Sequence, residues 1–138
     1  SINATVAPRF RINCFYNATT AAIPVYLPSE ITLIKAEASA RTGNLTTALT
    51  ELNKVITKTA AADPFKVGAN LAASTASTSD AILTEIYRNR CIELFMSGLK
   101  LEDMRRFGRA NAERKRNFFP YPFRERDGNI NTPADPSF

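Results

Sequence analysis

The sequence predicts a mainly α-helical protein: tetratricopeptide-like helical hairpins packed with a long C-terminal helix, flanked by extended terminal segments. Three observations predict it. Apolar residues recur at i, i+3, i+4 and i+7 from Leu45 to Thr59. The helical pattern before it is separated from it only by Gly43-Asn44, a connection so short that the two helices must pack antiparallel. A third amphipathic stretch, DAILTEIYRNRCIEL, starts at Asp80. With 138 residues, 44% of them hydrophobic and 22% charged, the chain suits one domain with a real core. Residues 1–138 are therefore expected to form a single helical domain, with 61–78 a flexible loop and 111–138 an extended tail.

Residues 1–27 show no helical period. Arg9 to Tyr16 read as a short strand with Phe10, Ile12 and Cys14 on one side, and Pro8, Pro24 and Pro28 break up the remainder. The first helix is expected from Glu30 to about Thr42, with Ser29 as N-cap and Gly43 as its stop. It offers two faces, Ile31-Ile34-Ala38 and Leu33-Ala36-Ala40, the second with small residues that allow close approach of a neighbour. Glu37 projects between Leu33 and Ile34, where a carboxylate needs a cation. Asn44 caps the second helix, expected over about 46–60. The stretch 61–78 is rich in Ala, Ser and Thr and poor in large apolar groups.

The long helix is expected from near Ser79, with Ser77, Thr78, Ser79 and Asp80 all able to cap it, and to end at Gly98. Its apolar face holds Ile82, Leu83, Ile86, Tyr87, Cys91 and Leu94, and Arg90 falls near the middle of that face. A buried guanidinium must meet a carboxylate: Glu93 beside it, or Glu37 on the first helix. The functional alternative is an Arg90 that lines a pocket and grips an anion. A short helix follows from Leu99 to Phe107, in which Asp103 receives either Arg106 or Arg90. The tail Phe118-Phe119-Pro120-Tyr121-Pro122-Phe123 reads as a strap over the helical body, with stacking on sugar rings as the alternative.

Composition excludes several chemistries. The chain has no histidine and two cysteines, Cys14 and Cys91. It therefore cannot by itself build a zinc site from four cysteines, or from two cysteines and two histidines. A Ser-His-Asp triad and a Cys-His pair are excluded with them. The two cysteines read as buried thiols, with a bridge open in an oxidising compartment. No cofactor is indicated. The net charge of +5 is local: residues 100–126 hold nine of the eighteen basic side chains and four acids, leaving nine of each sign elsewhere. That run lacks a recognition-helix pattern, so it reads as a charged helical surface and nucleic acid is not an expected partner.

The string from Arg90 to Arg106 resembles the C-terminal signature of the SusD/RagB family, in outline E-R-x-x-E-L-x-x-E-G-x-R-x-x-D-L-x-R. Arg90, Glu93, Leu94, Gly98, Asp103 and Arg106 match it, whereas Asn89, Ser97 and Lys100 replace Glu, Glu and Arg. Tyr121-Pro122-Phe123 with Glu125, then Asn129 to Asn131, echo the family's closing segment. Upstream, Leu33-Ile34-Lys35-Ala36-Glu37-Ala38, Gly43, Ala48 and Leu52-Asn53 are similar to its L-I-x-A-E-A helix pair. The resemblance covers about Tyr26 to the end and implies the C-terminal part of a longer protein. It implies a surface lipoprotein of the outer membrane of a Bacteroidetes-type bacterium, with its lipid anchor outside this chain. Such a protein sits over a TonB-dependent, SusC-like transporter, captures glycans or peptides for uptake, and is not an enzyme. No ligand-binding residue carries over. Arg90, Glu93, Glu37, Asp103 and Arg106 are expected to form a structural ion-pair network. A helical-repeat scaffold that binds a protein partner is the alternative function.

Overall fold

A computed structural model describes residues 19–20, 24–66, 68, 70–114 and 119–134. The strand expected over 9–16, Cys14 and Phe118 lie outside the described residues. The protein is mainly helical, as the hydrophobic periodicity requires. The packing divides into two compact units, one ending at Leu94 and the other beginning at Phe95.

The first unit is a helical hairpin with a third helix packed on it. Helix α1 spans Pro28–Arg41 and α2 spans Leu45–Ile56. Ser29 is not the N-cap of α1. The helix starts two residues earlier than expected, at Pro28, whose fixed φ and missing N–H suit the first helical position. Gly43 turns the chain at φ +83, a left-handed conformation that a side chain would strain. Asn44 then caps α2, its side-chain oxygen accepting the Thr47 N–H at 3.2 Å.

Of the two apolar faces of α1, the small-residue face packs. Leu33, Ala36 and Ala40 are buried, and Ala48 of α2 is too, whereas Ile31 and Ile34 stay about half exposed. Alanines let the two helix backbones come close, so the larger isoleucines are left outside.

Helix α2 ends four residues short of Ala60. The Thr57 hydroxyl bonds the Asn53 carbonyl at 2.8 Å, and a single 3-10 turn at Ala60–Ala62, capped by the Thr59 hydroxyl, follows. The connection then returns along α2. The Leu71 N–H bonds the Ile56 carbonyl at 3.0 Å. Asn53 grips Ser74 at both its main-chain groups, accepting from its N–H at 2.8 Å and donating to its C=O at 3.1 Å. What fastens this stretch is thus mainly main-chain and amide hydrogen bonding. Gly68 lies against the backbone of 58–60, where an added Cβ would come within 2.7 Å of the Ala60 nitrogen.

Helix α3 spans Ser79–Glu93, with the Thr78 hydroxyl accepting the Ala81 N–H at its start. The Ser79 hydroxyl bonds the Ala40 carbonyl, and Glu93 at the far end reaches Lys58, just past α2. Helix α3 therefore runs antiparallel to α1 and parallel to α2, and it packs on both. It stops at Glu93 rather than at Gly98. The following residues form turns in which Met96 (φ +65) and Gly98 (φ +84) are left-handed. The core of this unit is Leu33, Leu52, Ile82 and Ile86, all fully buried, with the alanines and Val55 around them.

In the second unit, α4 spans Lys100–Arg106, α5 Asn111–Arg114 and α6 Phe123–Gly128. Met104 is its buried apolar residue on α4. The tail is irregular over 119–122 and 129–134 but carries the short helices α5 and α6 within its course. Among its described aromatics, Phe119 and Phe123 are 81% and 72% exposed.

Candidate functional site

Helix α3 changes character along its length. Its first two turns bury Ile82 and Ile86, and its last turn buries Asn89, Arg90 and Glu93. Three and four residues apart, these polar side chains share one face of the helix. The Asn89 amide donates to the Glu85 carbonyl at 2.8 Å. Arg90 is 4% exposed, and its guanidinium therefore sits inside the fold as the position of Arg90 on an apolar face implied.

Glu93 belongs to a cluster around Lys58. The Lys58 ammonium donates to the Ser29 hydroxyl at 2.7 Å, to Asp63 at 2.9 Å and to Glu93 at 2.8 Å. An ammonium has three N–H donors, and all three are used. Ser29, Asp63 and Glu93 are buried, and the Lys58 side chain is 13% exposed. The cluster thus ties the start of α1, the segments on either side of the 3-10 turn and the end of α3 to one cation. Asp63 also accepts the Phe65 N–H at 2.9 Å, which fixes the turn that presents it. One cation between two buried carboxylates is a structural arrangement: its donors are spent inside the protein.

The other residues of the expected network have these partners. Glu37, buried on α1, accepts from the Arg41 Nε one turn later at 2.8 Å. In the second unit, Asp103 is buried and accepts from Arg106 at 2.6 Å. The Arg106 guanidinium lies over the Phe107 ring, 4.9 Å from its centroid. Arg105 with Glu102 and Arg109 with Glu113 add exposed pairs, so these arginines of the basic run are locally neutralised. Cys91 is half-buried on α3. On α2, Glu51 takes the ammonium groups of Lys54 at 2.7 Å and Lys35 at 3.3 Å. The Lys54 hydrogen bond above all holds the Glu51 carboxyl below its usual range; burial opposes that, and Lys35 adds to it.

Sequence reasoning missed Lys58, Asp63 and Ser29 as members of the buried cluster. Lys58 follows α2 in a position where a lysine ordinarily points to water, and its partners lie up to 35 residues away. Arg41, by contrast, stands four residues after Glu37, and that spacing was a usable signal.

The first unit also carries an open groove of about 670 Å³. One wall is the segment Leu71 to Ala76. The other is a single face of α3, from Asp80 and Ala81 through Thr84, Glu85 and Arg88 to Ile92, with Ile56 and Asn89 between them. A volume of this size is within the range of small-ligand sites. None of the lining side chains is aromatic. Among the described residues, no group of three or more His, Cys, Asp and Glu side chains is placed to hold a metal ion. No helix among them is long and apolar enough to cross a membrane.

The model of the SusD family matches residues 15–135, most of the chain. No curated protein and no solved structure matches it.

Proposed function

The chain belongs to the SusD family, and from that premise we propose that it is the nutrient-binding component of an outer-membrane uptake system. In this reading it captures a glycan or a peptide at the cell surface and delivers it to a TonB-dependent transporter, without catalysing a reaction. The family match over most of the chain is the observation that carries it. The buried charges support a division of labour. Arg90, Glu93, Glu37, Asp103 and Arg106 hold the helices, and the ligand is met elsewhere. Glu37, Glu93 and Asp103 each have a cation within 2.8 Å, which fits that role.

Affinity purification of the tagged protein from its host's detergent-solubilised membranes tests the reading. The expected result is recovery from the outer-membrane fraction together with a TonB-dependent transporter. Recovery from the cytoplasm with no transporter would sink it. The scaffold reading keeps one observation in its favour, the half-exposed Ile31 and Ile34 on the outer face of α1. A helical partner that is lost on Ile34→Glu, in the absence of any transporter, would favour the scaffold instead.

A further inference from the structure

We propose that the groove between residues 71–76 and α3 binds a short extended peptide carrying an apolar residue at one end and a cation at the other. This rests on the reading of the chain as a nutrient-capturing protein and names a ligand class and a place for it.

Length comes first. From Asp80 to Ile92 helix α3 rises about 18 Å, and an extended chain covers that distance in about five residues. The facing wall is suited to main-chain contact. Ala72, Ala73 and Thr75 are small, so a second backbone can approach closely. The Asn53 amide engages both main-chain groups of Ser74. Among the described residues, no hydrogen bond uses the main-chain N–H or C=O of Ala73 or Thr75. Main-chain groups left open along a groove are what an added peptide strand pairs with.

The two ends differ in chemistry. At one end Ile56, Leu71 and Ile92 gather, because the Leu71 N–H is bonded to the Ile56 carbonyl and α3 ends beside the end of α2. Leu71 and Ile92 are each about half exposed there, which leaves apolar surface for a side chain of the ligand. At the other end Asp80 lines the groove and makes no ion pair among the described residues. A lysine, an arginine or a terminal ammonium suits it. Glu85 and Arg88, both on the α3 wall, pair with each other at 3.9 Å, so the charge left over in the lining is that of Asp80. With no aromatic ring in the lining, a sugar has no flat apolar face to stack on.

The test is titration of the whole chain into a fluorescent pentapeptide with blocked termini, lysine at one end and leucine at the other, made in both orders. A linear glucose pentasaccharide, titrated by calorimetry, is the comparison probe. Saturable binding of one peptide order at or below about 1 mM is expected, weakened a few-fold by Asp80→Asn. Ala73→Tyr, on an exposed position, fills the groove and should abolish binding with an unchanged melting temperature. Binding of neither probe, or peptide binding indifferent to Ala73→Tyr, overturns the groove as a site. Pentasaccharide binding that Ala73→Tyr blocks, with no peptide binding, overturns the peptide and leaves nutrient capture standing. Failure of the broader reading would show separately, as absence from the outer membrane.

Discussion

The two halves of α3 are held in different ways. Around Ile82 and Ile86, both fully buried, stability comes from apolar area removed from water, and neighbours of similar size are interchangeable in kind. Around Arg90 and Glu93 it comes from satisfying charges that would otherwise be penalised by burial. The aliphatic half tolerates a graded loss. The polar half is conditional: its partners must all be present. The difference teaches where register is set. Ile82 and Ile86 would accept a small slide of α3 along the hairpin, but a Lys58 whose three donors are all engaged accepts none.

The strongest challenge to that contrast is Lys58→Met. It leaves Asp63 and Glu93 buried without their cation and should cost about 3–5 kcal/mol in urea unfolding. Adding Asp63→Asn and Glu93→Gln to it should recover a large part of the loss, because no charge is then left uncompensated. The amide oxygen introduced by Asp63→Asn can still accept the Phe65 N–H that the Asp63 carboxylate now accepts. A Lys58→Met protein within about 0.5 kcal/mol of the unmodified one would refute the conditional character of this half.

Ile86→Ala sharpens the other side. Deleting three buried carbons from the centre of the core should cost about 3 kcal/mol, and Ile86→Val only about 1 kcal/mol. On α1, Ile34→Ala should cost well under that, since Ile34 lies on the stripe left half exposed. Equal losses at Ile34 and Ile86 in the same urea titration would mean that the wrong face of α1 has been taken as packed. Gly68→Ala comes next. Its Cβ would press on the main chain at Lys58 and Ala60, and the displacement should cost about 1–3 kcal/mol. If the polar half depends on where that backbone holds Lys58, the loss should be smaller in the background of the triple variant than in the unmodified protein.

These contrasts also mark what the sequence made legible. Local rules carried the hairpin. Gly43-Asn44, the stripe from Leu45 to Ile56 and a capping cluster at 77–80, of which Thr78 is the one used, each act within a few residues, so the chain displays them directly. The burial of Arg90 was legible for the same reason, a charge set among apolar neighbours at helical spacing. Choosing between the two stripes of α1 needed a three-dimensional fact: α2 brings Ala48 against it, and only the alanine face lets it in. Lys58 was illegible because two of its partners, Ser29 and Glu93, lie 29 and 35 residues away and Asp63 reaches it only across the 3-10 turn. The groove was illegible too, since a run of Ala, Ser and Thr has no preferred course until Asn53, 21 residues before Ser74, fixes one.

Glu51 provides the mildest test of the comparison, because it is a buried carboxylate whose cations come from water. Its side chain is 10% exposed, but those of Lys35 and Lys54 are 61% and 58% exposed. The Lys54 hydrogen bond is the main reason its carboxyl is lowered from 4.5 in the folded protein. A lowered folded value means that folding favours the charged form. The resulting stability is therefore complete above the unfolded value and disappears as the pH falls through the lowered one. Glu51→Gln should then melt slightly below the unmodified protein at neutral pH, and the two melting curves should converge in acid, once the pH has fallen past the lowered carboxyl value. Because both lysines are solvated, 1 M salt should narrow the gap at pH 7. The same salt should leave the effect of Lys58→Met almost unchanged, since the Lys58 ammonium is screened from solvent by its own partners. Equal salt sensitivity at the two sites would erase the distinction between a charge held from outside and one held within.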